Sequence, residues 1–67
     1  GSKEGQININ TADEKTLDEL PGVGPAMAKR IVEYRETEGA FQSIEDIKKI
    51  KGIGEAKFNR MKDKLCL

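Results

Sequence analysis

Two glycine triplets, Gly22-Val23-Gly24 and Gly52-Ile53-Gly54, stand thirty positions apart in a chain of 67 residues. Set between short helices, a Gly-x-Gly of this kind is suited to holding an anion. The first glycine can sit at positive φ without a Cβ penalty, which lets the chain turn sharply. The second has no side chain to obstruct a ligand approaching the backbone. It also opens the next helix, where unpaired N–H groups and the positive end of the helix dipole attract negative charge. The expected donors are the amides of Gly22, Gly24 and Ala26, and of Gly52, Gly54 and Ala56; Pro25 cannot donate. Lys29, Arg30, Lys57 and Arg60 follow the triplets, and Lys51 precedes the second, placed to add charge. Val23 and Ile53, at the tips, are expected to turn inward and clamp each hairpin to the core. Ala26 and Ala56 are expected to be the small residues where helices cross.

Other chemistry is poorly supplied. Histidine is absent, Cys66 is the single cysteine, and no nucleophile has a base beside it. Asp13, Glu14, Asp18 and Glu19 read as the solvated face of a surface helix. No catalytic residue, metal site or cofactor is predicted, and the chain is not expected to be an enzyme. Cys66 is read as an inert residue near a frayed end.

Charge is balanced overall, twelve basic against twelve acidic residues, but not along the chain. Lys48 to Lys64 holds seven basic residues against Glu55 and Asp63, whereas the chain before Lys48 holds ten acidic against five basic. One end suits a polyanion and the other does not; a solvated lysine-rich helix is the plainer alternative. With Tyr34, Phe41 and Phe58 as its only aromatics, the chain has no tract on which single-stranded bases could stack, so a duplex is the better nucleic-acid ligand.

The elements that must position these residues occur twice. Leu17, Leu20, Val23 and Ile31 fall on Ile47, Ile50, Ile53 and Met61 after a shift of thirty, and Gly22, Gly24, Ala26 and Arg30 fall on Gly52, Gly54, Ala56 and Arg60. A repeated supersecondary unit of helix, tight turn and helix has this appearance when only its skeleton is constrained. Thr11-Ala12-Asp13-Glu14 has capping-box form, predicting a first helix from about Ala12 to Leu20. Pro25 suits the first position of a second helix running to about Glu38. Ser43-Ile44-Glu45-Asp46 opens a short third helix by the same cap logic, and a fourth is expected from about Glu55 to Lys64. Gln6 to Asn10 is expected as an extended arm packed across the bundle, with no partner strand to pair with.

The predicted fold is therefore all-α, a compact bundle of four short helices made of two tandem units with an extended N-terminal arm. Residues 1–5 are assigned to a tag remnant or linker, since Gly1-Ser2 looks like a tag scar, and residues 6–67 to the domain. A chain this short buries only about 60 % of its unfolded surface. No apolar stretch approaches the roughly 18 residues needed to cross a bilayer, and no signal peptide is visible.

At this point the residues resemble a known family. Leu20-Pro21-Gly22-Val23-Gly24-Pro25-Ala26-Met27-Ala28 and Ile50-Lys51-Gly52-Ile53-Gly54-Glu55-Ala56 look like helix-hairpin-helix motifs of DNA-binding proteins that ignore base sequence. The frame, Ile7-Asn8-Ile9-Asn10-Thr11-Ala12 ahead of the first unit and Tyr34-Arg35-Glu36 through Gly39-Ala40-Phe41-Gln42-Ser43-Ile44-Glu45-Asp46-Ile47 between the two, is similar to the DNA-receptor domain of bacterial competence proteins of the ComEA type. The resemblance covers roughly Ile7 to Leu65. It implies a four-helix domain that binds double-stranded DNA during uptake for transformation, in company with other competence-machinery proteins. It also implies a place on the outer side of the cytoplasmic membrane, extracellular or periplasmic, as part of a longer anchored or secreted protein, with no insertion by this segment itself.

The residues expected to meet DNA are Gly22, Val23, Gly24, Ala26, Lys29, Arg30, Lys51, Gly52, Ile53, Gly54, Ala56, Lys57 and Arg60, with the second hairpin contributing more. The competing expectation is a protein-interaction module of the same fold that no longer binds DNA.

Overall fold

The computed structural model describes residues 5–67; the assignment of residues 1–4 to a tag remnant or linker lies outside them. The chain is mostly helical. It runs through α1 (Glu14–Leu17), α2 (Pro25–Thr37), a 3-10 helix (Ile44–Lys49), α3 (Glu55–Met61) and a short 3-10 turn (Lys62–Lys64). Two short strands, β1 (Ile7–Asn8) and β2 (Leu65–Cys66), bracket the helices.

The strands correct the all-α expectation. β1 and β2 pair in parallel, Ile7 opposite Leu65 and Asn8 opposite Cys66, and the Ile9 amide extends the pairing by donating to the Cys66 carbonyl at 3.1 Å. The arm does have a partner, the C-terminal Leu65 and Cys66, so Cys66 lies in a paired strand and not near a frayed end. Ile9 and Leu65 are both buried, so closing the pair satisfies backbone groups that would otherwise lie beside the core without water. Further bonds hold the arm. Arg35 donates from Nη1 to the Ile9 carbonyl at 2.9 Å. Asn10 and Phe41 form a reciprocal pair, the Phe41 amide donating to Asn10 Oδ1 at 2.7 Å and Asn10 Nδ2 donating to the Phe41 carbonyl at 3.0 Å. Phe41 in turn stacks on Tyr34 with ring centroids 5.1 Å apart.

α1 begins later than the capping box suggests. The amides of Thr11 and Ala12 are already taken by the Asn8 carbonyl, at 3.2 and 2.9 Å. The cap is instead Asp13, whose Oδ1 accepts from the Thr16 amide at 2.8 Å. That carboxylate sits low in its titration, chiefly because of this backbone hydrogen bond. After Leu17 the turn tightens, with Leu20 donating to Leu17. The third element is a 3-10 helix, and Ser43 makes no side-chain cap. Its acid does reach back, one residue further than expected: Asp46 Oδ2 accepts from the Gln42 amide at 3.1 Å.

The thirty-residue shift holds in the core. Leu17 and Ile47, Leu20 and Ile50, Val23 and Ile53, Ala28 and Phe58, Ile31 and Met61 are all buried, in one cluster completed by Ile9, Phe41 and Leu65. At about 25 cal/mol per Å² of apolar surface removed from water, burial of such residues is the main force holding the helices together. The Ala28–Phe58 pair is not conservative in volume.

Candidate functional site

The two glycine turns are built alike, bond for bond. Gly22 has φ +82° and Gly52 φ +100°, the left-handed region the turn needs. In the first turn Val23 donates to the Leu20 carbonyl at 3.1 Å, and in the second Ile53 donates to Ile50 at 3.0 Å. Gly24 (φ −99°, ψ −178°) and Gly54 (φ −101°, ψ −172°) then stand extended as the N-caps of α2 and α3. Ala28 donates to Gly24 and Phe58 to Gly54, both at 2.9 Å.

A glycine cap supplies no side-chain acceptor, and neither helix has one. Among the described residues, the amides of Gly22, Gly24, Ala26 and Met27 meet no protein acceptor; nor do those of Gly52, Gly54, Glu55, Ala56 and Lys57. A Cβ placed on Gly24 or Gly54 would meet nothing within 4 Å. Each turn thus presents a short run of open donors beside a backbone that a ligand can approach.

The structure distributes the expected site residues unevenly. Gly22, Gly52 and Gly54 are exposed and Gly24 is half-buried. Val23 and Ile53 point into the core, 6 % and 3 % exposed, and their amides are spent inside the turn. They shape the hairpins and offer no free donor. Ala26 and Ala56 are exposed on the first turn of their helices, so the expectation that they sit where helices cross is corrected; Ala28 is the buried small residue on α2. Exposure leaves the Ala26 and Ala56 amides open to a ligand.

Lys29, Arg30, Lys51 and Arg60 are exposed and Lys57 is half-buried. Among the described residues no acid lies within ion-pair distance of any of these five; the pairs that exist are Lys48–Glu55 at 3.9 Å and Lys49–Asp46 at 3.5 Å. Lys48 also covers the Phe58 ring, 5.0 Å from its centroid. Part of the basic run is therefore engaged structurally. Sequence reasoning missed Met27, whose amide belongs with the open donors and whose side chain crosses to the opposite hairpin. Its correspondence to Lys57 under the thirty-residue shift was the available signal.

Among the described residues no group of histidine, cysteine or acidic side chains is arranged to hold a metal ion, and no helix is long and apolar enough to cross a membrane.

The chain is a small, mostly helical module with two alike glycine turns, each carrying amides that meet no acceptor among the described residues. Residues 2–66 match the family model described as the helix-hairpin-helix motif, and the chain belongs to that family. It is 48 % identical over all its 67 residues to the ComE operon protein 1 of Bacillus subtilis, of which it covers 33 %. It is 45 % identical over 62 residues to the human endonuclease/exonuclease/phosphatase family domain-containing protein 1, of which it covers 11 %. The chain thus spans a third or less of the length of these relatives. The enzyme name of the second attaches to a protein of which this segment matches only that small part.

Proposed function

We propose that the domain binds double-stranded DNA without reading its sequence, as two tandem helix-hairpin-helix motifs whose backbone amides and neighbouring cations grip phosphates. The observation that carries this reading is the repetition of one turn geometry, each copy with an unobstructed glycine cap, and with amides and nearby cations that meet no acceptor or acid among the described residues. The likeness to the ComE operon protein supports a place in DNA uptake for transformation, as the receptor domain of a longer anchored or secreted protein. That protein would stand on the outer side of the cytoplasmic membrane and work with other competence proteins. The domain's own task is binding, with no chemical step.

Phosphate contacts specify position and not sequence. About four to six such contacts give a log–log dependence of affinity on salt with a slope near −4 to −5, and a Kd of about 10⁻⁴ to 10⁻⁶ M typical of non-specific binding. Fluorescence anisotropy of a labelled 20-mer duplex at three salt concentrations tests this. Binding that weakens steeply with salt, is equal for two unrelated sequences, and is lost in Gly24→Glu or Gly54→Glu is the expected result. No binding at low salt would overturn the reading and favour a protein partner for this fold.

A further inference from the structure

We infer that the two hairpins exchange their cations: Lys57, which follows the second hairpin in sequence, serves the phosphate site of the first, and Arg30, which follows the first, serves that of the second. The inference rests on the DNA-binding reading and assigns each charge to a hairpin.

The geometry is reciprocal. Lys57 lays its stem along Gly22, with Cγ 3.7 Å and Cδ 3.8 Å from the point a Cβ on Gly22 would occupy. Lys57 as a whole is half-buried, and a lysine that lays its carbons along a neighbour keeps its charged end in water; with Cγ and Cδ against Gly22 the ammonium is within reach of the first turn. On the other side, Arg30 Nη1 donates to the Lys51 carbonyl at 3.2 Å and stands 3.4 Å from the Cβ point of Gly52. One guanidinium N–H is used there, leaving the rest of the fork for an anion.

The slot that Lys57 fills against Gly22 is filled against Gly52 by Met27, its counterpart under the thirty-residue shift. One packing position therefore carries a charge on one side and a thioether on the other. Lys57→Met is the replacement the molecule itself uses at the equivalent place: it keeps the covering stem and removes only the cation. Assigning each cation to the hairpin it follows in sequence therefore misplaces Lys57 and Arg30, although the one-for-one exchange leaves the number of cations on each side unchanged.

The test is a set of double-mutant cycles read by anisotropy on the 20-mer duplex, pairing Lys57→Met and Arg30→Gln with Gly24→Val or Gly54→Val. Both glycines have extended backbone and open space at the Cβ point, so valine fits the fold while its bulk blocks phosphate approach without adding charge. Lys57→Met is expected to weaken binding several-fold and to flatten the salt slope by about 0.9, the signature of one lost phosphate contact. That loss largely disappears in the Gly24→Val background and persists in full with Gly54→Val. For Arg30→Gln the backgrounds are reversed. Losses that disappear with each cation's own hairpin, or that are equal in both backgrounds, overturn the exchange while the DNA-binding reading stands. Failure of the unmodified protein to bind duplex overturns both.

Discussion

Met27 closes on Gly52 across the molecule: its Cε stands 2.6 Å from the point where a Cβ on Gly52 would lie, and Gly52 itself is at φ +100°. Two constraints meet at that residue, backbone conformation and occupied space. Gly22, at φ +82°, has the first constraint but only ordinary contact with the Lys57 stem. Left-handed backbone costs a residue with a Cβ about 1–2 kcal/mol. Gly52→Ala is therefore expected to destabilise more than Gly22→Ala, by the amount needed to displace the flexible end of Met27. Urea denaturation checks this, and the excess should disappear when Gly52→Ala is made together with Met27→Ala. An excess that survives the second change would mean the contact is not its cause.

At the glycine caps, stability and binding pull apart. Gly24 and Gly54 provide no side-chain acceptor for the first amides of their helices. Aspartate at an N-cap accepts from one of them and complements the helix dipole, adding roughly 0.3–1 kcal/mol. The same carboxylate would occupy the donors and repel a phosphate. Gly24→Asp should raise the thermal midpoint and weaken duplex binding at least tenfold. A variant that melts higher and binds as before would show that these amides do not hold DNA.

Asn10 fastens the N-terminal arm to the segment joining the two halves. Its side chain satisfies both the amide and the carbonyl of Phe41. Asn10→Ala leaves both partly buried groups without that partner, at a cost of about 1–3 kcal/mol. Asn10→Asp keeps the acceptor but replaces the donor, and above the ordinary carboxylate range it sets a charge against the Phe41 carbonyl. It should be destabilising at pH 7 and less so at pH 3, as measured by urea midpoints.

Acid sensitivity should come from two surface carboxylates. Asp13 and Asp46 both lie below their ordinary value of 3.8, lowered first by the backbone hydrogen bonds from Thr16 and Gln42 respectively. A group depressed in the folded state contributes stability that is complete above its unfolded value and is lost as pH falls through the folded one. The contribution of each should be flat from pH 7 to about pH 5 and decline below 3.8. Asp13→Asn and Asp46→Asn should each flatten that decline. An unchanged acid limb in both would place the sensitivity elsewhere.

The hairpins could be read from sequence because few residue types can make them. A turn at positive φ between buried helices calls for glycine, and the caps beyond it leave amides open whatever surrounds them. The buried ladder of Leu17, Leu20, Val23 and Ile31 with Ile47, Ile50, Ile53 and Met61 was likewise legible as a repeated apolar spacing. Fine local choices were less so: the helix starts at Asp13, whose Oδ1 accepts from the Thr16 amide, while the Thr11 and Ala12 amides belong to a preceding turn on the Asn8 carbonyl.

Long-range pairings were decided by the tertiary fold alone. β1 and β2 are two residues each, too short for a strand period to show, and Ile7 meets Leu65 only because the packed helices bring the ends of the chain together. The crossing of Met27 to Gly52 and of Lys57 to Gly22 has the same origin. Spacing along a chain dictates which residues share a local turn, because backbone sterics act over a few residues. Which side chain covers which turn follows from how the two halves dock, and that docking is set by the shape of the core they bury together.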